Sequence, residues 1–174
     1  MNTNRFLHVA AATLALLVIG VARAHVVLAP GGAVAGTTHA AAFKVGHACK
    51  GAHSTTALSV RLPAGFSLVR AEPRPGWTLS TKPDEVTWTA STPEAALPAS
   101  AHDTFVVIGK LPARPGTLWF KVLQTCDVGA SDWATLPTAE MPKPEFPAPR
   151  LDVLAADGAA VDVRDAPARA ASAD

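Results

Sequence analysis

Along most of this chain apolar and polar residues alternate with a period of two. The alternating runs are short and are cut off by proline, glycine or aspartate. Thr55–Leu62 is the clearest: Leu58, Val60 and Leu62 fall on one side, and Ala57, Ser59 and Arg61 on the other. Such a run makes a strand with one buried face. The same reading gives strands at His25–Ala29, Thr38–Val45, Phe66–Ala71, Trp77–Ser80, Glu85–Ala90, Thr104–Ile108, Thr117–Thr125 and Leu151–Leu154. Only Thr92–Ala101 has a weak helical look, and it carries Pro93 and Pro98. Many short strands with turn signals between them predict an all-β fold, an antiparallel β-sandwich of immunoglobulin or cupredoxin-like type. Met141–Arg150, with four prolines, is expected to be extended, and the alanine- and aspartate-rich tail from Ala155 to be loose.

One run does not alternate. Phe6–Val21 is almost wholly apolar, follows the basic Arg5 and precedes the small-x-small site Ala22-Arg23-Ala24. This is the layout of a secretory signal peptide, residues 1–24. The run is short for a membrane span, which takes about 20 apolar residues; an uncleaved anchor helix is the alternative. Cleavage after Ala24 would leave a mature domain over 25–154 and a tail over 155–174, exported and periplasmic, with no second apolar run of spanning length. It would also make His25 the first residue.

Charge then excludes one class of partner. Without Arg5 and Arg23 the 15 basic residues fall to 13, against 14 acidic ones, and no basic block exists. Nucleic-acid binding has no electrostatic footprint here. Two cysteines, Cys49 and Cys126, lie in the exported part. An even count in an oxidising compartment favours one disulfide, and a thiolate pair binding a soft metal is the rival. A bridge would bring Trp133, Asp127 and Asp132 to the corner that holds Cys49.

An N-terminal histidine offers its α-amine and its ring Nδ1 to one metal. The amine has a pKa near ~8, so a metal displaces its proton easily at neutral pH. Amine and imidazole nitrogens suit Cu(II). One more ligand in trans would complete a three-nitrogen site, and Phe43–Thr56 (FKVGHACKGAHSTT) holds the nearest candidate, His47, if the strand at His25–Ala29 pairs with the one ending at Val45. His39, His53 and His102 read as ordinary surface or hydrogen-bonded histidines. Trp77, Trp88 and Trp119 read as core residues, and Trp133 as core or rim. The mature chain keeps a single methionine, Met141, so a thioether-rich Cu(I) site is excluded. It has no Gly-rich phosphate loop, no HExxH, no GxSxG and no tyrosine, which leaves little for an enzyme to work with.

His25-Val26-Val27 with Pro30 and Ala35-Gly36, Phe43-Lys44-Val45 with His47-x-Cys49-x-Gly51, Thr55-Thr56, Pro63-x-Gly65, Pro75-Gly76-Trp77, Val86-Thr87-Trp88, Gln124-Thr125-Cys126 and Trp133 follow one another in an order that resembles the YcnI-like copper-binding family. The resemblance spans about His25 to Leu154. It implies a non-enzymatic exported β-sandwich that binds Cu(II) through its N-terminal histidine and serves copper trafficking or buffering, in exchange with other periplasmic or membrane copper-transport proteins. Single-histidine members carry a glutamate where this chain has His47, so this sequence looks like a two-histidine variant. The family's tryptophan beside the metal corresponds to Trp133, which would cover one face of the copper. Asp127 or Asp132 would be a candidate oxygen ligand at such a corner. A brace-type copper oxidase and a metal-free sandwich module that binds another envelope protein are the alternatives.

Overall fold

The computed structural model describes residues 25–156. The expected leader over 1–24 and all but the first two residues of the expected tail over 155–174 lie outside the described residues. Thirteen strands run in chain order as β1 (Val27–Leu28), β2 (Ala33–Val34), β3 (Thr38–Val45), β4 (Ser54–Arg61), β5 (Ser67–Ala71), β6 (Trp77–Lys82), β7 (Glu85–Ala90), β8 (Leu97–Pro98), β9 (Asp103–Lys110), β10 (Gly116–Trp119), β11 (Lys121–Cys126), β12 (Ala130–Trp133) and β13 (Arg150–Leu154). One sheet has the order β1-β3-β9-β5. A second has the order β12-β11-β4-β7-β6, with β8 on the flank of β4. A third, β10-β13-β2, completes the fold. All pairings between strands are antiparallel except β13 with β2. No helix among the described residues is long and apolar enough to cross a membrane.

The period-two pattern decides which face each strand buries. On β4, Leu58 and Val60 are fully buried, while Ser59 turns outward and meets the Thr87 hydroxyl at 2.9 Å. On β3 and β9 the inward residues are Ala41, Phe43, Val45, Phe105 and Val107. Phe105 stands edge-on to Trp77 and Trp88, each at 5.4 Å between ring centres, and Phe43 edge-on to Phe120 at 5.3 Å. These offset aromatic pairs fasten the β3–β9 sheet to the β4–β7 sheet across one core. The architecture is an all-β, antiparallel, immunoglobulin-like sandwich, as the alternation predicts.

The structure corrects the sequence reading in four places. Thr117–Thr125 is not one strand: the chain changes sheets at Phe120, so that β10 pairs with β13 and β11 with β4. The fully buried Phe120 is the pivot, and with no proline or glycine between Thr117 and Thr125 the run carries no mark of it. Trp119 is not core. It lies half-exposed on β10 with the Arg150 guanidinium 5.9 Å above its ring. Thr92–Ala101 forms one 3-10 turn, Pro93–Ala95, and then the short β8, because its prolines deny the helix its backbone donors. Ala130–Trp133, which lies outside every run read as a strand, is the edge strand β12.

His39 lies on β3 opposite Gly109, and burial holds its pKa below the usual 6.5. The native state therefore keeps this ring neutral where the unfolded chain would protonate it. Stability present at neutral pH should fall as pH drops from about 6.5 toward the lowered native value. Urea unfolding of His39→Gln is expected to show a flatter pH dependence between pH 7 and 5 than the parent. Identical slopes would mean that His39 does not carry this sensitivity.

Candidate functional site

The candidate residues gather at one end of the sandwich. In the register of β1 on β3, Val27 faces Lys44 and Leu28 faces Phe43. Carried two residues further, this register brings His25 level with Gly46, the neighbour of His47. This is the pairing on which the sequence argument for His47 depended. The His25 ring lies 5.6 Å from the indole of Trp133, tilted by 46°. Trp133 is inward on β12, opposite Val122, and only 3% exposed. Phe146 backs it at 5.2 Å from the proline-rich segment. That segment is held by the amide of Thr135 donating to the Phe146 carbonyl at 3.0 Å, and by the amide of Ala148 donating to Thr135 at 2.9 Å. Trp133 thus has a fixed rear wall and presents its ring to His25.

Gln124 ties this wall to the His47 loop. The inward residues of β11 are Val122, Gln124 and Cys126, so the alternation puts an amide where a hydrophobe is expected. Gln124 is 1% exposed and fully engaged. Its Oε1 accepts the indole N–H of Trp133 at 3.1 Å. Its Nε2 donates to the carbonyl of His47 at 2.7 Å and to the hydroxyl of Thr55 at 2.8 Å. Only this orientation of the amide satisfies a donor and two acceptors at once. The sequence reading missed both Gln124 and Phe146 as determinants of the site. The signal for Gln124 was present, as the one amide on the inward phase of an apolar strand.

The His47 loop is pinned at a second point. Cys49 and Cys126 form a disulfide with their Cα atoms 6.0 Å apart, and the Cys49 amide donates to the Cys126 sulfur at 2.9 Å. Asp127 closes a third. Its carboxylate accepts from the amides of His53 at 3.0 Å, Ser54 at 3.2 Å and Val128 at 3.1 Å. The Ser54 amide is the main reason that its pKa lies below the usual carboxylate range, with those of His53 and Val128 adding to it. Asp132 on β12 pairs across β11 with Arg61 on β4. Both carboxylates considered as oxygen ligands are thus engaged in holding the backbone and the sheet edge.

His47 is half-buried, with Nδ1 3.4 Å from the Ala48 carbonyl. His53 is exposed, and only its backbone enters the network. His102, read from sequence as an ordinary loop histidine, lines a cavity of about 380 Å³ together with His25, Val27, Lys44, Gly46 and Asp103. Among the described residues no three His, Cys, Asp or Glu side chains converge. A site in which His25 is the first residue would not need three, because one of its nitrogens would be the α-amine. The donor chemistry fits a cupric ion: imidazole nitrogen from His25 and His47, and no thiolate, since both cysteines are in the bridge.

Residues 25–85 and 79–153 match a family model described as a domain of unknown function (DUF1775). A protein from Nocardia farcinica, whose crystal structure reveals an immunoglobulin-like fold, superposes with a TM-score of 0.65 at 31% identity, covering 74% of this chain and 97% of that one. Two type I cohesin structures are remoter. One is from the Coh-OlpA-Doc918 complex of Clostridium thermocellum, with a TM-score of 0.47 at 7% identity, covering 75% of this chain and 98% of that one. The other is the seventh ScaB cohesin of Pseudobacteroides cellulosolvens, with a TM-score of 0.46 at 9% identity, covering 86% of this chain and 97% of that one. No curated protein matches.

Proposed function

The chain belongs to the family described as a domain of unknown function, DUF1775, and from that premise we propose that its mature form begins at His25 and is an exported, periplasmic Cu(II)-binding protein that buffers copper or passes it to other copper-transport proteins. The observation that carries this reading is the joining of three separate parts of the chain. The His25 ring lies against Trp133, and Gln124 links Trp133 to the backbone of His47. The leader pattern ahead of His25, the family match that starts at residue 25, and the ordered resemblance to the YcnI-like copper-binding family all support it.

In this reading copper is cargo. The α-amine and ring of His25 and the ring of His47 would hold it, and nitrogen donors favour the cupric state. The chain's own work is positional. The pairing of β1 with β3 brings the N-terminus to the His47 loop, and the bridge and Gln124 keep that loop from moving away. Trp133, a poor ligand for Cu(II), would shield one side of the ion from solvent and reductants. The absence of tyrosine and of enzyme motifs in the mature sequence favours carriage over catalysis.

Titration with Cu(II), followed by EPR, tests the reading. The chain beginning at His25 should bind one equivalent with a nitrogen-rich type 2 spectrum. A chain carrying one extra residue ahead of His25, with its amine acetylated, loses the amine chelate. Loss of a residue that merely orients a ligand costs about 10–100-fold in metal affinity, so loss of a ligand should cost more than about 100-fold. Equal affinity of the two chains would refute the proposal. No copper binding by either would favour a metal-free interaction module.

A further inference from the structure

We infer a second way for this chain to hold a divalent transition metal: an imidazole pair, His25 and His102, facing each other across Gly46, which does not need the free amine. β1, β3 and β9 lie side by side. The register of β3 on β9 pairs Val45 with Asp103, so its next row sets Gly46 beside His102. The register of β1 on β3 sets His25 beside Gly46 from the other flank. Residues directly opposite one another in antiparallel strands share a face, and neighbouring strands lie about 4.8 Å apart. His25 and His102 thus stand roughly two strand spacings apart on one face, with a side-chain-free residue between them.

The space over Gly46 is used by an imidazole. A Cβ built on Gly46 would lie 3.0 Å from Nδ1 of His102, so that nitrogen sits where a side chain would otherwise be. Gly46 does not adopt the left-handed backbone that demands glycine. What a larger residue would take away is the room. The cavity lined by His25, Gly46 and His102 measures about 380 Å³, and Val27, Lys44 and Thr104 on its lining are exposed. Its other polar residues are Lys44, Asp103 and Thr104. Asp103 is bound to the Arg74 guanidinium and to the Thr104 amide at 2.6 Å, so its carboxylate is already engaged and the two imidazoles supply the nitrogen donors of the pair. The Lys44 ammonium at the rim opposes a cation, so this pair should be weaker than an amine-anchored site. Neutral imidazole nitrogens select Cu(II), Ni(II) or Zn(II) rather than Ca(II) or Mg(II).

This inference stands apart from the brace, and one set of chains separates them. The probe is Cu(II) alone, read by EPR and by competition against a chelator of known affinity. The chain with Ala24 retained ahead of His25 and its α-amine acetylated has no terminal imidazole–amine chelate. It should still bind one Cu(II) through imidazole nitrogen, more weakly than the chain beginning at His25. In that extended background His102→Gln should lower the affinity by about ten-fold or more, and His47→Gln should not. Gly46→Val, which fills the space over Gly46, should act like His102→Gln, with an unchanged far-UV spectrum showing that the fold is kept. An extended chain that binds no copper overturns the pair and leaves the brace untouched. Loss on His47→Gln but not on His102→Gln also overturns it. Failure of the chain beginning at His25 to bind more tightly than the extended one overturns the brace and leaves the pair.

Discussion

Replacing Cys49 and Cys126 together by alanine is expected to lower the stability of the metal-free protein by about 4 kcal/mol, with the melting temperature falling by roughly 10–20 °C. The two cysteines are 77 residues apart in sequence, so the bridge removes a large part of the freedom of the unfolded chain. Alanine is the informative substitution because both positions are buried, at 8% and 6% exposure, and serine would add an unpaired hydroxyl. Urea unfolding with a chelator present measures the effect. The chelator matters because the rival reading of this pair is a thiolate metal site, which would also lose stability on substitution. If the parent loses as much stability to the chelator as to the substitution, a metal rather than the bridge holds this corner. The bridge starts two residues beyond His47, so copper affinity should fall along with stability.

The second large effect is expected at Gln124. Gln124→Met keeps the length and approximate volume of the side chain and removes its hydrogen bonds. The indole N–H of Trp133, the hydroxyl of Thr55 and the carbonyl of His47 all lose a partner. Trp133 and Thr55 are 3% and 0% exposed, so water does not easily replace what is lost. At about 1–3 kcal/mol for each buried group left unpaired, the cost should be about 3–5 kcal/mol in the metal-free chain. Copper affinity should fall by a further factor of about 10–100, the usual consequence of losing a group that orients a ligand. Both effects are measured on one protein, by urea unfolding and by copper competition. A metal-free chain within about 1 kcal/mol of the parent would mean that water or a rearranged neighbour satisfies the three groups, and that Gln124 does not fix the corner. Normal stability with lowered affinity would restrict its role to aligning His47.

The candidate site was legible in the sequence to the extent that it is local. The leader followed by histidine is a contiguous pattern, and His47 lies just past a strand whose alternation is plain. The cysteine count pointed to a bridge without showing its geometry. His102 was not legible. It sits 55 residues from His47 in a loop, and only the side-by-side run of β1, β3 and β9 brings its ring over Gly46. Phe146 was hidden in the same way, because a proline-rich segment has no period from which its contacts can be inferred.

The sequence by itself determined most of the longer strands, the faces they bury and therefore the sandwich, because a period of two is a local property that each strand carries alone. It also set the expectation of neither a thioether-rich site nor a basic nucleic-acid face, because composition limits which side chains are at hand. Only the tertiary structure decided that the chain changes sheets at Phe120, that Trp119 faces outward, and that Gln124 joins Trp133 to His47. Each of these depends on which residues from distant parts of the chain share one space. Alternation states that a side chain points inward, and packing alone states what it meets there.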